Sequence, residues 1–276
     1  MELNGTVAFS AILVMGLVGL FSAALPLGLA LAFRRRTGGR KRFFLLGCAV
    51  FPLFALGLEA QVHRLLYYGV WSQALTSSVW LYALYGGLMA GIFEECGRWA
   101  AFRLGRRWTR GPGDALMYGA GHGGAEAFLL LGMTMVNNLI LALAFNRGGL
   151  PAVEAWMGPV PEAGMAAVAA LTATPAALYL WGAFERVTAV AVQIALSVLV
   201  YAAVNRRGGW YWLPAAILLH AAVDVTAVAA GAFLPIPATE ALLAAWAAAL
   251  VLLARRVYLR EKREKDLTFP QVEGVE

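Results

Sequence analysis

The sequence is short of charge. Asp, Glu, Lys and Arg make up 14% of its 276 residues, against about 25% in an average soluble domain. No polar stretch is long enough to enclose a core of its own, so a separate soluble domain is excluded and residues 1–257 read as one membrane domain. Cysteine is scarce too. Cys48 and Cys96 both sit in apolar segments, which excludes a disulfide framework and a thiolate metal site. No basic region precedes the first apolar run, Val7 to Phe33, and that run exceeds the roughly 7–15 residues of a signal-peptide core, so it is expected to stay as a first transmembrane helix. There is no internal repeat of the kind that transporters with inverted halves carry.

What is present is apolar. Hydrophobic residues reach 61% and the mean hydropathy is +0.69, the composition of an integral, multi-pass protein of the cell membrane. A span needs roughly 20 apolar residues, and candidates fall at 7–33, 43–70, 78–102, 114–144, 175–204, 210–232 and 239–257. The expected fold is all-α, a polytopic membrane helix bundle of about seven transmembrane helices. Basic residues cluster between spans, at Arg34, Arg35, Arg36, Arg40, Lys41 and Arg42, and at Arg103, Arg106, Arg107 and Arg110. With the Arg206-Arg207 pair and the basic tail, they share one side if the N-terminus is out and the C-terminus in. Anionic lipid headgroups at the cytoplasmic loops explain the net charge of +6, and no nucleic-acid partner is needed. The stretch 145–174, with Pro151, Pro159 and Pro161, reads as an external loop holding a re-entrant or interfacial helix. Residues 258–276 read as a polar, disordered cytoplasmic tail.

Against this background three motifs stand out: Glu94-Glu95-Cys96-Gly97-Arg98, His122-Gly123-Gly124-Ala125-Glu126 and His220-Ala221-Ala222-Val223-Asp224. Each lies inside an apolar span, where an ionisable residue is costly and points to function. Counted from the basic ends of their helices, all three fall in one layer roughly 12–20 Å deep at 1.5 Å per residue, and Gln193 reaches it too. Residues three or four apart share a helix face, so Glu94 and Glu95 both neighbour Arg98, His122 neighbours Glu126, and His220 neighbours Asp224. Arg98 can hold one glutamate ionised, leaving the other, desolvated beside a like charge, suited to general-base work. Two histidines on different helices with carboxylates one turn away match the needs of zinc, which makes His122, Glu126, His220 and Asp224 candidate ligands. Glycines at 119, 121, 123 and 124 admit either an extended substrate backbone or a neighbouring helix, whereas Gly87 and Gly91 read as helix packing. Glu59 with His63, and Glu185 with Arg186, read as a second, separate polar group nearer the outer face.

The pattern Glu94-Glu95-x-x-Arg98, Gly121-His122-Gly123-Gly124-x-Glu126 and His220-x-x-x-Asp224 resembles the YhfC-type family of intramembrane proteases. That family is similar to the CAAX-processing and bacteriocin-immunity group and to the PrsW-type proteases. The resemblance implies hydrolysis of a peptide bond in or beside the membrane. It implies Glu94 as activator of water with Glu95 as partner, His122 and His220 as metal ligands or oxyanion stabilisers, and Asp224 orienting His220 or adding a ligand. Compared with the CAAX-processing enzymes, Arg98 stands one position closer and Glu126 is added. The wider group includes enzymes described as metalloproteases and others described as metal-free and glutamate-dependent, so zinc and metal-free chemistry both stay open at this stage. A membrane zinc hydrolase of lipid amides and a proton-coupled transporter are the alternatives.

Overall fold

In lipid a spanning backbone must satisfy its own N–H and C=O groups, which leaves helices or a closed barrel. The computed structural model describes residues 5–268 and contains no strand among them. Its helices are α1 (Phe9–Thr37), α2 (Lys41–Phe51), α3 (Ala60–Leu65), α4 (Ser72–Thr76), α5 (Val79–Gly105), α6 (Gly113–Glu126), α7 (Met133–Met157), α8 (Glu162–Ala173), α9 (Ala176–Asn205), α10 (Trp212–Phe233) and α11 (Ile236–Thr268). Wider π-helical turns interrupt them at Pro52–Glu59, Leu66–Val70 and Ala127–Gly132. Among the described residues six helical stretches are long and apolar enough to cross a bilayer: Phe9–Thr37, Lys41–Val70, Gly113–Met157, Ala176–Asn205, Trp212–Phe233 and Ile236–Glu264. The chain is a multi-pass membrane protein. The seventh expected span, α5, is 27 residues long and is not in that set, because Glu94, Glu95, Arg98 and Arg103 lower its hydropathy.

The chain forms two compact units. One holds residues up to Leu25 together with Ala127–Val187. Its core packs Val7, Met15 and Val18 against Met135 and Leu171. Ahead of α1, the Val7 N–H donates to Asn146 Oδ1 at 2.7 Å and Asn146 Nδ2 donates to the Val7 carbonyl at 2.8 Å, so both main-chain groups find a partner. Helix α7 breaks at Gly148 and Gly149, the latter at φ +64°, ψ −157°, a conformation open in practice to glycine alone. The expected loop 145–174 is therefore mostly helical, with the end of α7 on one side of Gly158 and the 12-residue α8 on the other.

The other unit holds Pro26–Glu126 and the chain from Thr188 onward, and it carries the three motifs. Small residues set its close contacts. A Cβ on Gly91 would lie 2.6 Å from the Ile217 carbonyl oxygen, and one on Gly87 would lie 2.7 Å from that of Ala221, so α5 and α10 touch backbone to backbone as the spacing suggested. Gly47 and Gly121 bring α2 and α6 together in the same way, with Gly121 against the Phe44 backbone and Gly47 against the Tyr118 carbonyl. Gly119 and Gly123 abut α9 at Ile194 and Gln193, and Gly124 abuts Pro26. All four glycines around His122 thus face neighbouring helices, and the substrate-backbone reading of them is withdrawn. Gly121→Leu is expected to destabilise this unit by about 1–3 kcal/mol through overpacking, read as a fall in the thermal unfolding midpoint in detergent. An unchanged midpoint would show that α2 yields at Phe44.

The tail departs from expectation. Helix α11 continues through Thr268, supported by an i,i+4 bond from Arg260 Nε to Glu264 Oε1 at 3.1 Å and by Arg206 Nε 3.7 Å from the same oxygen. Alternating charge reads as polar in composition yet suits an exposed helix. The remainder of the expected tail, 269–276, lies outside the described residues.

Candidate active site

Four helices of the second unit converge. Helix α5 supplies Glu94, Glu95 and Arg98; α6 supplies His122 and Glu126; α9 supplies Gln193 and Ser197; α10 supplies His220 and Asp224. Glu95, Arg98, His122 and Ser197 are fully enclosed, and Glu94, Gln193 and His220 nearly so.

The motifs join across helices rather than within them. His122 Nε2 lies 2.9 Å from Glu94 Oε2, and His220 Nε2 lies 4.0 Å from the same oxygen. His220 Nδ1 lies 2.7 Å from Glu95 Oε1. Within its own motif, His220 Nε2 stands 3.7 Å from Asp224 Oδ2. Glu95 is held in turn by Arg98, whose Nε is 3.3 Å from Glu95 Oε2 in a direction that makes an ion pair rather than a well-aligned hydrogen bond. Glu95 thus takes the arginine, and Glu94 faces both imidazoles.

Two residues of α9 were not among the candidate site residues. Gln193 Nε2 donates to Glu94 Oε2 at 2.9 Å and to Glu126 Oε2 at 2.8 Å, while the Gln193 side-chain oxygen accepts from Arg98 Nη2. Arg98 Nη1 donates to the Gln193 carbonyl at 2.7 Å and to Ser197 Oγ at 2.9 Å. One amide thus ties Glu94, Glu126 and Arg98 together. Their signal in the sequence is faint: Gln193 and Ser197 form an i,i+4 polar pair in the otherwise apolar run 189–204, and depth alone places Gln193 in the layer of the motifs. Aromatic rings wall the site, with Phe51 edge-on to His122 at 5.4 Å, Tyr118 stacked on it at 5.8 Å, and the Arg98 guanidinium 5.9 Å from the Tyr118 ring. Glu59 is buried and lies 3.0 Å from His63 Nε2, and His63 Nδ1 lies 2.8 Å from the Tyr85 hydroxyl. Glu185 and Arg186 pair with each other in the first unit.

Residues 21–236, a stretch that takes in every one of these site residues, match the YhfC intramembrane metalloprotease family. The chain belongs to that family. It is 38% identical over 225 residues to YhfC of Bacillus subtilis (strain 168), described as an uncharacterized membrane protein, across 80% of this chain and 86% of the relative. No solved structure matches it.

A YhfC-family protein is expected to hold a metal. Among the described residues no three His, Cys, Asp or Glu side chains stand ready as a metal-binding group. The donor chemistry nonetheless fits. Tetrahedral ligands at about 2.1 Å from zinc stand about 3.4 Å from one another, close to the 3.7 Å between His220 Nε2 and Asp224 Oδ2, and His122 Nε2 and His220 Nε2 converge on Glu94 Oε2 at 2.9 and 4.0 Å. A carboxylate on one ring nitrogen, as Glu95 is on His220 Nδ1, is how metal-binding imidazoles are commonly held, and with a metal bound it would leave the Nε2 lone pair to that metal.

Proposed function

We propose that this protein is an endopeptidase that hydrolyses a peptide bond in or near the membrane, with Glu94 as the base and zinc as its metal. The observation that carries this reading is the approach of His122 Nε2 and His220 Nε2, from two helices, to one buried carboxylate oxygen, Glu94 Oε2. Zinc would be held by His122, His220 and Asp224, and when bound it would make a water more acidic and polarise the scissile carbonyl.

The remaining roles follow from the contacts. Glu94 Oε2 takes the proton of the attacking water and returns it to the leaving amide nitrogen. Gln193 Nε2 fixes the orientation of that carboxylate and couples it to Glu126, a more exposed acid within reach of an incoming chain. Glu95 holds the tautomer of His220, and Arg98 holds Glu95; both are positioning residues. The enclosed setting keeps bulk water from Glu94 and strengthens each of these interactions. We also propose that the amino terminus lies outside, that the basic loops meet anionic headgroups in the cytoplasm, and that the substrate is a membrane-embedded or membrane-associated peptide.

Elemental analysis of detergent-purified protein tests the metal. Near-stoichiometric zinc is expected in the wild type, with loss of most of it in both His122→Ala and His220→Ala. Wild-type protein that stays metal-free after zinc loading and desalting would overturn the zinc assignment and favour a glutamate-dependent peptidase. Zinc-loaded protein that releases fatty acid from lipid amides and leaves membrane peptides intact would make it an amidase instead.

A further inference from the structure

Two cavities of the second unit share one side chain, Tyr258. The first, about 330 Å³, is lined by Arg36, Arg110 and Lys262 together with the turns at Gly38 and Gly111. The second, about 380 Å³, is lined almost wholly by apolar groups, among them Phe33, Leu116, Ile194, Val198 and Val251, with Arg255 beside Tyr258.

The three helices that run through both cavities carry the same gradient. On α1 the apolar cavity has Phe33 and the basic one has Arg36, three residues on. On α11 Val251 gives way to Tyr258 and then to Lys262. At α6, which runs the other way, Arg110 and Gly113 line the basic cavity and Leu116 the apolar one. At 1.5 Å per residue, three or four positions amount to roughly 5 Å, the drop from a headgroup phosphate to the start of its acyl chains. The one acid lining the basic cavity, Asp114, is already engaged. Its Oδ1 accepts from the Arg40 N–H at 3.0 Å and Arg40 Nε at 3.2 Å, and its Oδ2 accepts from Arg40 Nη2 at 2.7 Å and the Arg110 N–H at 2.8 Å. Among the described residues none of Arg36, Arg110 and Lys262 is in an ion pair, so the cavity keeps three positive charges over an apolar cleft. Basic pockets between transmembrane helices bind anionic lipid headgroups in this way.

We propose that this end of the unit is a binding site for one anionic phospholipid, with its phosphate among Arg36, Arg110 and Lys262 and an acyl chain in the cleft between Phe33, Ile194 and Val251. The site is distinct from the motif residues and does not depend on the peptidase reading. A free phosphate would use the cations and leave the cleft unused; a zwitterionic lipid would use the cleft and gain little from the cations.

Delipidated protein in detergent is titrated with phosphatidylglycerol, with phosphatidylcholine of the same chains, or with inorganic phosphate, while the thermal unfolding midpoint is followed. Phosphatidylglycerol is expected to raise the midpoint in a saturable way and the other two to leave it unchanged. The triple variant Arg36→Gln, Arg110→Gln, Lys262→Gln is expected to bind phosphatidylglycerol roughly 100-fold more weakly, the combined loss of three cations near one headgroup. Val251→Trp fills the cleft from a position that is 43% exposed, so it tests the acyl chain with charge untouched even if the triple variant fails to fold, and it too should weaken the response. An equal shift with inorganic phosphate, an equal shift with phosphatidylcholine, or a full phosphatidylglycerol response in Val251→Trp would each overturn the proposal. Zinc content and peptide release bear on the peptidase reading alone.

Discussion

Glu94→Gln is expected to lower peptide release by about 10²–10⁴-fold, the contribution of a well-placed general base, while zinc content stays near that of the wild type. The amide is the same size as the carboxylate and keeps an oxygen that can accept from Gln193 Nε2, 2.9 Å away in the native site. What it loses is the ability to take a proton. Peptides released from membranes of cells expressing either form, compared by mass spectrometry, provide the readout without knowledge of the natural substrate. Glu95→Gln should behave differently. Glu95 supports His220 through Nδ1 at 2.7 Å, and loss of such a partner weakens metal binding by about 10–100-fold, so activity should return when zinc is raised. If Glu94→Gln loses zinc along with activity, Glu94 is a ligand and the base must be sought at Glu126, its neighbour through Gln193.

The motifs were legible because hydrocarbon makes them conspicuous: within apolar spans they gather two of the three histidines and four acids, each one turn or less from a partner. Depth along each helix was also legible, since a fixed rise per residue converts position into height. The pairing was not. Sequence spacing joins His122 to Glu126 and Glu94 to Arg98, but the histidines bond across helices, His122 to Glu94 and His220 to Glu95, where register depends on contacts such as those at Gly91 and Gly121. Glycine shows where helices can approach and not which helix arrives. Gln193 is a related case: a single neutral amide in an apolar run carries little signal until its partners are known. The π-helical run Pro52–Glu59 was not legible either, and its wider turns rotate the residues beyond them away from the face that a regular period assigns. Helical charge pairs hid α11 beyond Tyr258, where composition alone suggested disorder.

Arg98→Met is expected to destabilise the second unit by about 3–5 kcal/mol, the cost of leaving a buried carboxylate without its counter-charge. That is a large share of the roughly 5–15 kcal/mol that holds a typical domain folded. The guanidinium is fully enclosed, pairs with Glu95 through Nε, donates to the Gln193 carbonyl and Ser197 Oγ through Nη1 and to the Gln193 side chain through Nη2, and faces the Tyr118 ring. It therefore fastens α5 to α9 as well as holding Glu95 in place. Adding Glu95→Gln removes the orphaned charge, and replacing both members of a buried pair is often close to neutral, so the double variant should recover most of the lost unfolding midpoint. Its zinc affinity should stay below that of the wild type, because the neutral amide is a weaker acceptor for His220 Nδ1. A single variant as stable as wild type would show that Glu95 protonates or finds water at no cost, and the pair would lose its structural role. Recovery of fold without recovery of zinc binding would separate the two tasks of Arg98, bracing the helices and charging the carboxylate that sets His220.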